Sequence, residues 1–311
     1  PPATSNLPDF RAEYTQPWKA TGVDFAGPLH VKVTTGETSK VYIALFTCAA
    51  TRAIHLELCK DLTAEEFKLA MRAFVARRGT PSLMISDNAK TFQATKLWLD
   101  HIKQSSDFSD YLHKHSIEWR FNMARSPWWG GFFERMVGIM KRSLSKSIGT
   151  SLLAHDELRA ALLDVEIFMN NRPLTYVGED CDQPVLTPNA LMGQTSTKFI
   201  EEDLEELNYQ EEDKVLTRRM RYLHRTREQL RKRWQNEYLH ALQERNNRDS
   251  DPHQKIPQPG SVVLLTDALN ERKPEWKLGK VMGVIRGKDN VIRGLKLKCG
   301  SGYTVERPLQ L

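Results

Sequence analysis

Cysteine is scarce in this chain and falls in no pairing pattern: the four residues are Cys48, Cys59, Cys181 and Cys299, with no Cys-x-x-Cys step. That argues against a disulfide framework and against a cysteine-rich zinc site, and it fits a reducing compartment. Long apolar runs are missing as well. No stretch approaches the roughly 18–20 apolar residues of a spanning helix, so no membrane partner is expected. The first residues, Pro-Pro-Ala-Thr-Ser-Asn, lack a basic segment followed by an apolar one, so no secretory signal is expected. Methionine is absent from position 1, which suggests a piece of something longer. No internal repeat at solenoid periods is visible.

What is present reads as globular. With 40% hydrophobic and 27% charged residues, 311 in all, the chain suits two domains rather than a disordered or fibrous protein. The net charge of +6 is unevenly spread. Residues 198–213 carry eight acids against Lys198; residues 214–248 carry eleven Lys/Arg against three Glu; residues 255–311 carry eleven bases against five acids. The first two thirds are nearly neutral and the last third is basic. A polyanion partner at the C-terminal end is the implication, against the plainer reading of a solvated helix face.

Residues 18–33 read as a strand, with Val23, Phe25, Leu29 and Val31 alternating around Asp24. Residues 41–47 form a β-rich run of buried character, and residues 52–58 alternate as a half-exposed strand would. The Cys48–Thr51 link makes these two a hairpin. Thr63-Ala-Glu-Glu66 is a capping box opening a helix to about Arg78, with Phe67, Ala70, Met71, Phe74 and Val75 on its buried stripe and Gly79 as the stop. A strand at Leu83–Ile85 follows, then a helix near Lys90–Ile102, a polar link over 103–110 and a strand at Ile117–Met123. Helices at 131–148 (stripe Phe133, Met136, Val137, Met140, Leu144) and 155–170 complete the first part. This order predicts a mixed α/β sheet flanked by helices over 1–197. An acidic linker (198–213), a basic helix (214–254) and a small β-barrel domain (255–311) come next, with strands at 259–265, 280–286 and 295–298.

Three carboxylates stand out. Asp24 interrupts an apolar strand, where a charge is costly unless paired or bound to metal. Asp87 directly follows an apolar strand, at a strand end where ligand groups gather. Glu134 lies in the first turn of a helix after Pro127-Trp-Trp-Gly-Gly131. Each has a plainer explanation: Asp24 could pair with an Arg, Asp87 could cap a helix, and Glu134 could favour a helix N-terminus through the dipole. Three carboxylates that converge could hold two Mg²⁺ ions, roughly 3.5–4 Å apart, for phosphoryl transfer. Spacing along the chain does not show convergence.

The motifs themselves carry a resemblance. Thr21-Gly-Val-Asp24-Phe-Ala-Gly-Pro28, Ile85-Ser-Asp87-Asn88 and Ser126-Pro-Trp-Trp-Gly-Gly-Phe-Phe-Glu134-Arg135 resemble the three motifs of the retroviral-type integrase core over residues 18–195. The double Trp before the double Gly, with Asn170-Asn-Arg-Pro-Leu174 downstream, most closely resembles integrases of Pao/BEL-type retrotransposons. The tail is similar to the C-terminal part of the same elements at Pro259-Gly-Ser-Val-Val and Trp276-Lys-Leu-Gly-Lys-Val281. The resemblance implies a ribonuclease H-like core, an Asp24, Asp87, Glu134 triad binding Mg²⁺ (or Mn²⁺), two ions, a long basic helix and a small SH3-like β-barrel. It implies 3′-end processing and strand transfer of element DNA into target DNA, as a homo-oligomer, in nucleus and cytoplasm. Two departures stand. The 46 residues between Asp87 and Glu134 exceed the retroviral spacing, the surplus falling on the polar link at 103–110. The His/His/Cys/Cys zinc module that precedes such cores is missing, and His113-x-His115 is expected at the surface.

Candidate DNA contacts follow. Lys141 matches a position where related integrases set a lysine against DNA, and Arg142 shares the Glu134 face, although Gly138 occupies the intervening turn. Asn88 adjoins Asp87, and Trp128 stacks on bases or packs the loop. Arg218, Arg219 and Arg225 on the basic helix, with Lys277 and Lys280 in the barrel, neutralise phosphates. No base-reading motif is visible, so weak sequence preference is expected. The rival reading is a catalytically inactive integrase-derived DNA-binding or assembly protein. A different ribonuclease H-like nuclease or a DNA transposase is a third, disfavoured by the basic tail and the Pro-Trp-Trp-Gly-Gly motif.

Overall fold

A computed structural model describes residues 16–33, 37–86, 105–121, 152–174, 185–194, 256–265, 277–300 and 302–309, with single positions or short stretches at 138, 140, 222, 225, 229, 238–240 and 242. The chain divides into two compact units, Pro1–Asn170 with Asp203–Trp234, and Asn171–Glu202 with Gln235–Leu311.

The first unit is a mixed α/β sheet with helices against it. Its strands are β1 (Ala20–Lys32), β2 (Thr38–Cys48), β3 (Ile54–Cys59), β4 (Leu83–Ser86) and β5 (Glu118–Phe121), in spatial order β3-β2-β1-β4-β5. Two-residue β6 (Leu153–Ala154) pairs in parallel with the far end of β1. Strands β1, β2 and β3 form antiparallel pairs, while β4 and β5 run parallel to β1. The hairpin expected between β2 and β3 is there, closed by Cys48 N–H to the Ala53 carbonyl at 2.8 Å.

Helix α1 (Ala64–Arg78) matches its expected span. Thr63 Oγ1 accepts the Glu66 N–H, but Glu66 reaches back to the Lys60 N–H instead of completing the capping box. Asp61 takes the Thr63 N–H in its place. Gly79 ends the helix at φ 88°. The buried face of α1 forms an aromatic layer over the sheet: Phe74 stacks on Phe46 at 4.5 Å and meets Trp18 edge-on, and Phe67 contacts Phe25. Val75, expected on that stripe, is half-buried.

Two expectations are corrected. The segment read as a polar link is in part helix α2 (Ser106–Lys114), so the long spacing after Asp87 is not simply loop there. Ser105 Oγ accepts the Phe108 N–H, and Phe108 is buried between Phe67 and Trp119. A cap and one aromatic anchor suffice to fold a polar stretch. Strand β3 is also not half-exposed: Ile54, His55 and Leu56 are all buried, because α1 packs against this strand and α3 (His155–Asn170) lies along its free edge. His113 and His115 are exposed, as expected.

In the second unit, β7 (Val262–Leu265), β8 (Lys277–Arg286), β9 (Ile292–Cys299) and β10 (Thr304–Pro308) form an antiparallel sheet in order β10-β9-β8-β7. Its inner side holds Leu265, Val281, Leu295, Leu297 and Cys299. Strand β10 has no counterpart among the expected strands, since Thr-Val-Glu-Arg-Pro offers only Val305 to that core. A short helix α4 (Pro188–Leu191) is capped by Thr187. Asn171 Oδ1 takes the amide of Asn189, and Tyr238 donates to the Pro173 carbonyl. Between them Arg172 is wholly buried. That burial depresses its guanidinium to about 10 despite the opposing influence of Tyr238.

Candidate active site

Asp24 is the candidate catalytic carboxylate whose surroundings the structure describes. In an extended strand successive side chains alternate between faces. Phe25 packs against Phe67 of α1, so Asp24, one residue earlier, projects to the opposite side of the sheet. It is half-buried, and its Oδ1 accepts the Phe25 N–H at 2.7 Å.

Register locates it further. Strand β1 pairs in parallel with β4 through Ala20↔Leu83, Thr21↔Met84, Gly22↔Ile85 and Val23↔Ser86, Ser86 being the last described residue of that segment. Asp24 is therefore the β1 residue that follows the Val23↔Ser86 pair. On its other side β4 pairs in parallel with β5, Ser86 standing opposite Phe121. The Trp119 indole donates to Ser86 Oγ at 2.9 Å, tying β5 to β4 there. Three residues past Asp24, a register shift between Ala26 and Leu29 accommodates Gly27, at φ 128°. A Cβ there would stand 3.0 Å from the Val41 carbonyl oxygen, so the motif's glycine is required by its backbone.

Asp87, Asn88, Trp128, Glu134, Lys141, Arg142, Arg218 and Arg219 lie outside the described residues. Gly138 and Met140 are helical, and Met140 is buried, within the span expected for the Glu134 helix. Among the described residues no group of three or more His, Cys, Asp or Glu side chains comes together as a metal-ligand set.

Of the candidate DNA contacts, Arg225 is an exposed helical residue, and Lys277 and Lys280 are half-buried on β8. Lys280 sits directly opposite Lys298 of β9. Like charges placed opposite one another disfavour a sheet unless an anion offsets them. Lys296 is two residues before Lys298 on the same outward face, where Met282 is also exposed. Lys296 and Lys298 are not among the candidates the sequence singled out. The alternation Leu-Lys-Leu-Lys-Cys over 295–299 was the available signal.

Among known proteins, a family of unknown function (DUF5641) matches residues 218–311. No curated protein matches. The chain is similar to the integrase catalytic core domain of HTLV-2 in complex with magnesium (dimeric form), at 19% identity over 50% of this chain and 88% of that one, with a TM-score of 0.35. The trimeric form of the same domain gives 18% identity, 51% and 90% coverage and 0.36. The simian T-cell lymphotropic virus intasome in complex with PP2A regulatory subunit B56 gamma gives 14% identity, 96% and 78% coverage and 0.41.

Proposed function

We propose that this chain is a retroviral-type integrase of a retroelement, of the Pao/BEL-type retrotransposon kind, which processes element DNA 3′ ends and joins them to target DNA. The observation that carries the reading is the Val23↔Ser86 register. The next residue on each strand is an aspartate, Asp24 and Asp87, and covalent geometry keeps consecutive Cα atoms about 3.8 Å apart. Neighbouring strands lie about 4.8 Å apart, so the ladder starts both aspartates from one level of the sheet.

Asp24, Asp87 and Glu134 would hold two Mg²⁺ (or Mn²⁺) ions. Asp24 is suited to a metal because it is a hard oxygen donor, half-buried, and oriented by the Phe25 N–H. Bound divalent metal supplies charge neutralisation at the attacking and leaving oxygens of a phosphodiester. The chain's own part is to fix Asp24 within β1 and Asp87 directly after Ser86 of the neighbouring β4, on one sheet, and to hold the DNA.

For holding DNA we assign Asn88, Trp128, Lys141 and Arg142 near the carboxylates, and Arg218, Arg219 and Arg225 on a long basic helix. Lys277 and Lys280, with Lys296 and Lys298, extend this grip onto an SH3-like barrel. The enzyme would act in nucleus and cytoplasm as a homo-oligomer. Support for the basic face comes from the Lys280–Lys298 juxtaposition. The test is strand transfer on oligonucleotide ends with Mn²⁺, comparing wild type with Asp87→Asn. Loss of joining with retained salt-sensitive DNA binding is expected. Full joining by Asp87→Asn would refute the metal role, and DNA binding by a wild type that never joins would leave an integrase-derived binding protein.

A further inference from the structure

Two strands over from β1, at the free edge of the sheet, lies a charged cluster that the proposed chemistry does not use. His55 of β3 is buried, its ring against Phe46 of β2 and Phe74 of α1. Its Nε2 stands 2.8 Å from Glu57 Oε1, and its Nδ1 stands 3.5 Å from Glu166 Oε1 of α3, an ion-pair distance without hydrogen-bond alignment. Two α1 guanidiniums back these carboxylates: Arg77 on Glu57 at 2.7 Å, and Arg78 on Glu166.

The second oxygen of Glu166 faces the backbone instead. It accepts the Leu56 N–H, which points outward from β3, at 2.9 Å. One helical turn on, Asn170 accepts the Ile54 N–H at 2.8 Å and returns its amide to the Ile54 carbonyl at 2.9 Å. The side chains of α3 thus occupy the row of backbone groups with which another strand would pair. An unguarded edge of that kind is a template for association.

Carboxylates only accept hydrogen bonds, and a neutral imidazole has one N–H to give. With a carboxylate oxygen at each ring nitrogen, the imidazolium is the form that suits the site. We propose that His55, with Glu57, Glu166 and Arg78, forms a proton-dependent latch that holds α3 against β3 and closes the free edge of the sheet. Burial works against a proton on His55, but Glu166 and Glu57 outweigh it, and the ring titrates above its ordinary range. Burial likewise opposes charge on Glu166, and His55, Arg78 and the Leu56 N–H overcome it, leaving the carboxyl below its ordinary range.

A raised folded value means that the His55 contribution to the latch is fully present below about pH 6.5 and is lost as pH rises through the folded value. Loss of the proton sets a ring lone pair against one of the two carboxylates, and the repulsion loosens Glu166 from Leu56. Ile54 is held by an uncharged amide, so it is a built-in control.

The experiment follows the full chain by NMR, reading the protonation of ¹³C-labelled histidine rings and the amide exchange of Leu56 and Ile54, corrected for intrinsic rates, across pH 5 to 10. The His55 ring should be an imidazolium at pH 7, with a midpoint above the ordinary imidazole value of about 6.5. Protection of Leu56 should fall by about tenfold or more through that transition, with a smaller change at Ile54. Glu166→Gln should lower the His55 midpoint; should that variant not fold, the wild-type titration decides alone. A neutral His55 ring at pH 7 would overturn the latch, as would Leu56 and Ile54 protection moving together.

Discussion

Val23 of β1 and Ser86 of β4 stand opposite each other in the parallel ladder between these strands. In the sequence each is followed by an aspartate, Asp24 and Asp87. Carboxyl ends of parallel strands are where open α/β sheets gather ligand groups, and Ser86 also stands opposite Phe121 of β5.

The aromatic layer packs α1 onto the sheet. Phe74→Ala removes the stack on Phe46 and the edge contact with Trp18. A cost of about 3–5 kcal/mol is expected, read as a lower urea midpoint in equilibrium unfolding. A change within measurement error would show that α1 is held by something else.

Gly27 sits in the motif beside Asp24, at φ 128°, with the Val41 carbonyl oxygen and the Tyr42 ring crowding the position a Cβ would take. Gly27→Ala is expected to cost about 1–3 kcal/mol in stability, measured by the same unfolding assay. A neutral outcome would mean that the register shift between Ala26 and Leu29 relaxes freely.

Glu166 has a depressed folded value through His55, Arg78 and the Leu56 N–H, despite burial pushing the other way. Its contribution is therefore present above about pH 4.3 and is lost as pH falls through the folded value. Thermal midpoints of wild type should drop on acidification over that window, while Glu166→Gln follows a flatter curve. Parallel curves would contradict the assignment.

On the C-terminal sheet, the Lys280–Lys298 pair should report on DNA. Affinity of the full chain is expected to fall with salt, and Lys280→Ala or Lys298→Ala should each flatten the log–log slope by about 0.9 if each touches one phosphate. Slopes unchanged in both variants would remove this face from the interface.

Local patterns are readable without the fold. The span of α1 follows from Thr63, Glu66 and Gly79, and α3 stops before Asn171-Arg-Pro173, because caps and breakers act within a few residues. Other features depend on partners distant in the chain. Nothing near His55 announces Glu166, 111 positions on, so β3 reads as a half-exposed strand. Ser105 and Phe108 look like polar linker until Phe67 and Trp119 provide a place for the ring. For the candidate site, motif resemblance supplies the three carboxylates, and the β1–β4 register adds the level of the sheet at which Asp24 stands.

The most direct measurement uses Mn²⁺ as a paramagnetic probe of the isotopically labelled full chain. The Phe25 amide is the reporter, since it donates to Asp24 Oδ1. Selective broadening of that resonance at low Mn²⁺, abolished in Asp87→Asn, is the result the shared carboxylate site predicts. A Phe25 signal that Mn²⁺ leaves sharp, or that broadens equally in Asp87→Asn, would contradict it.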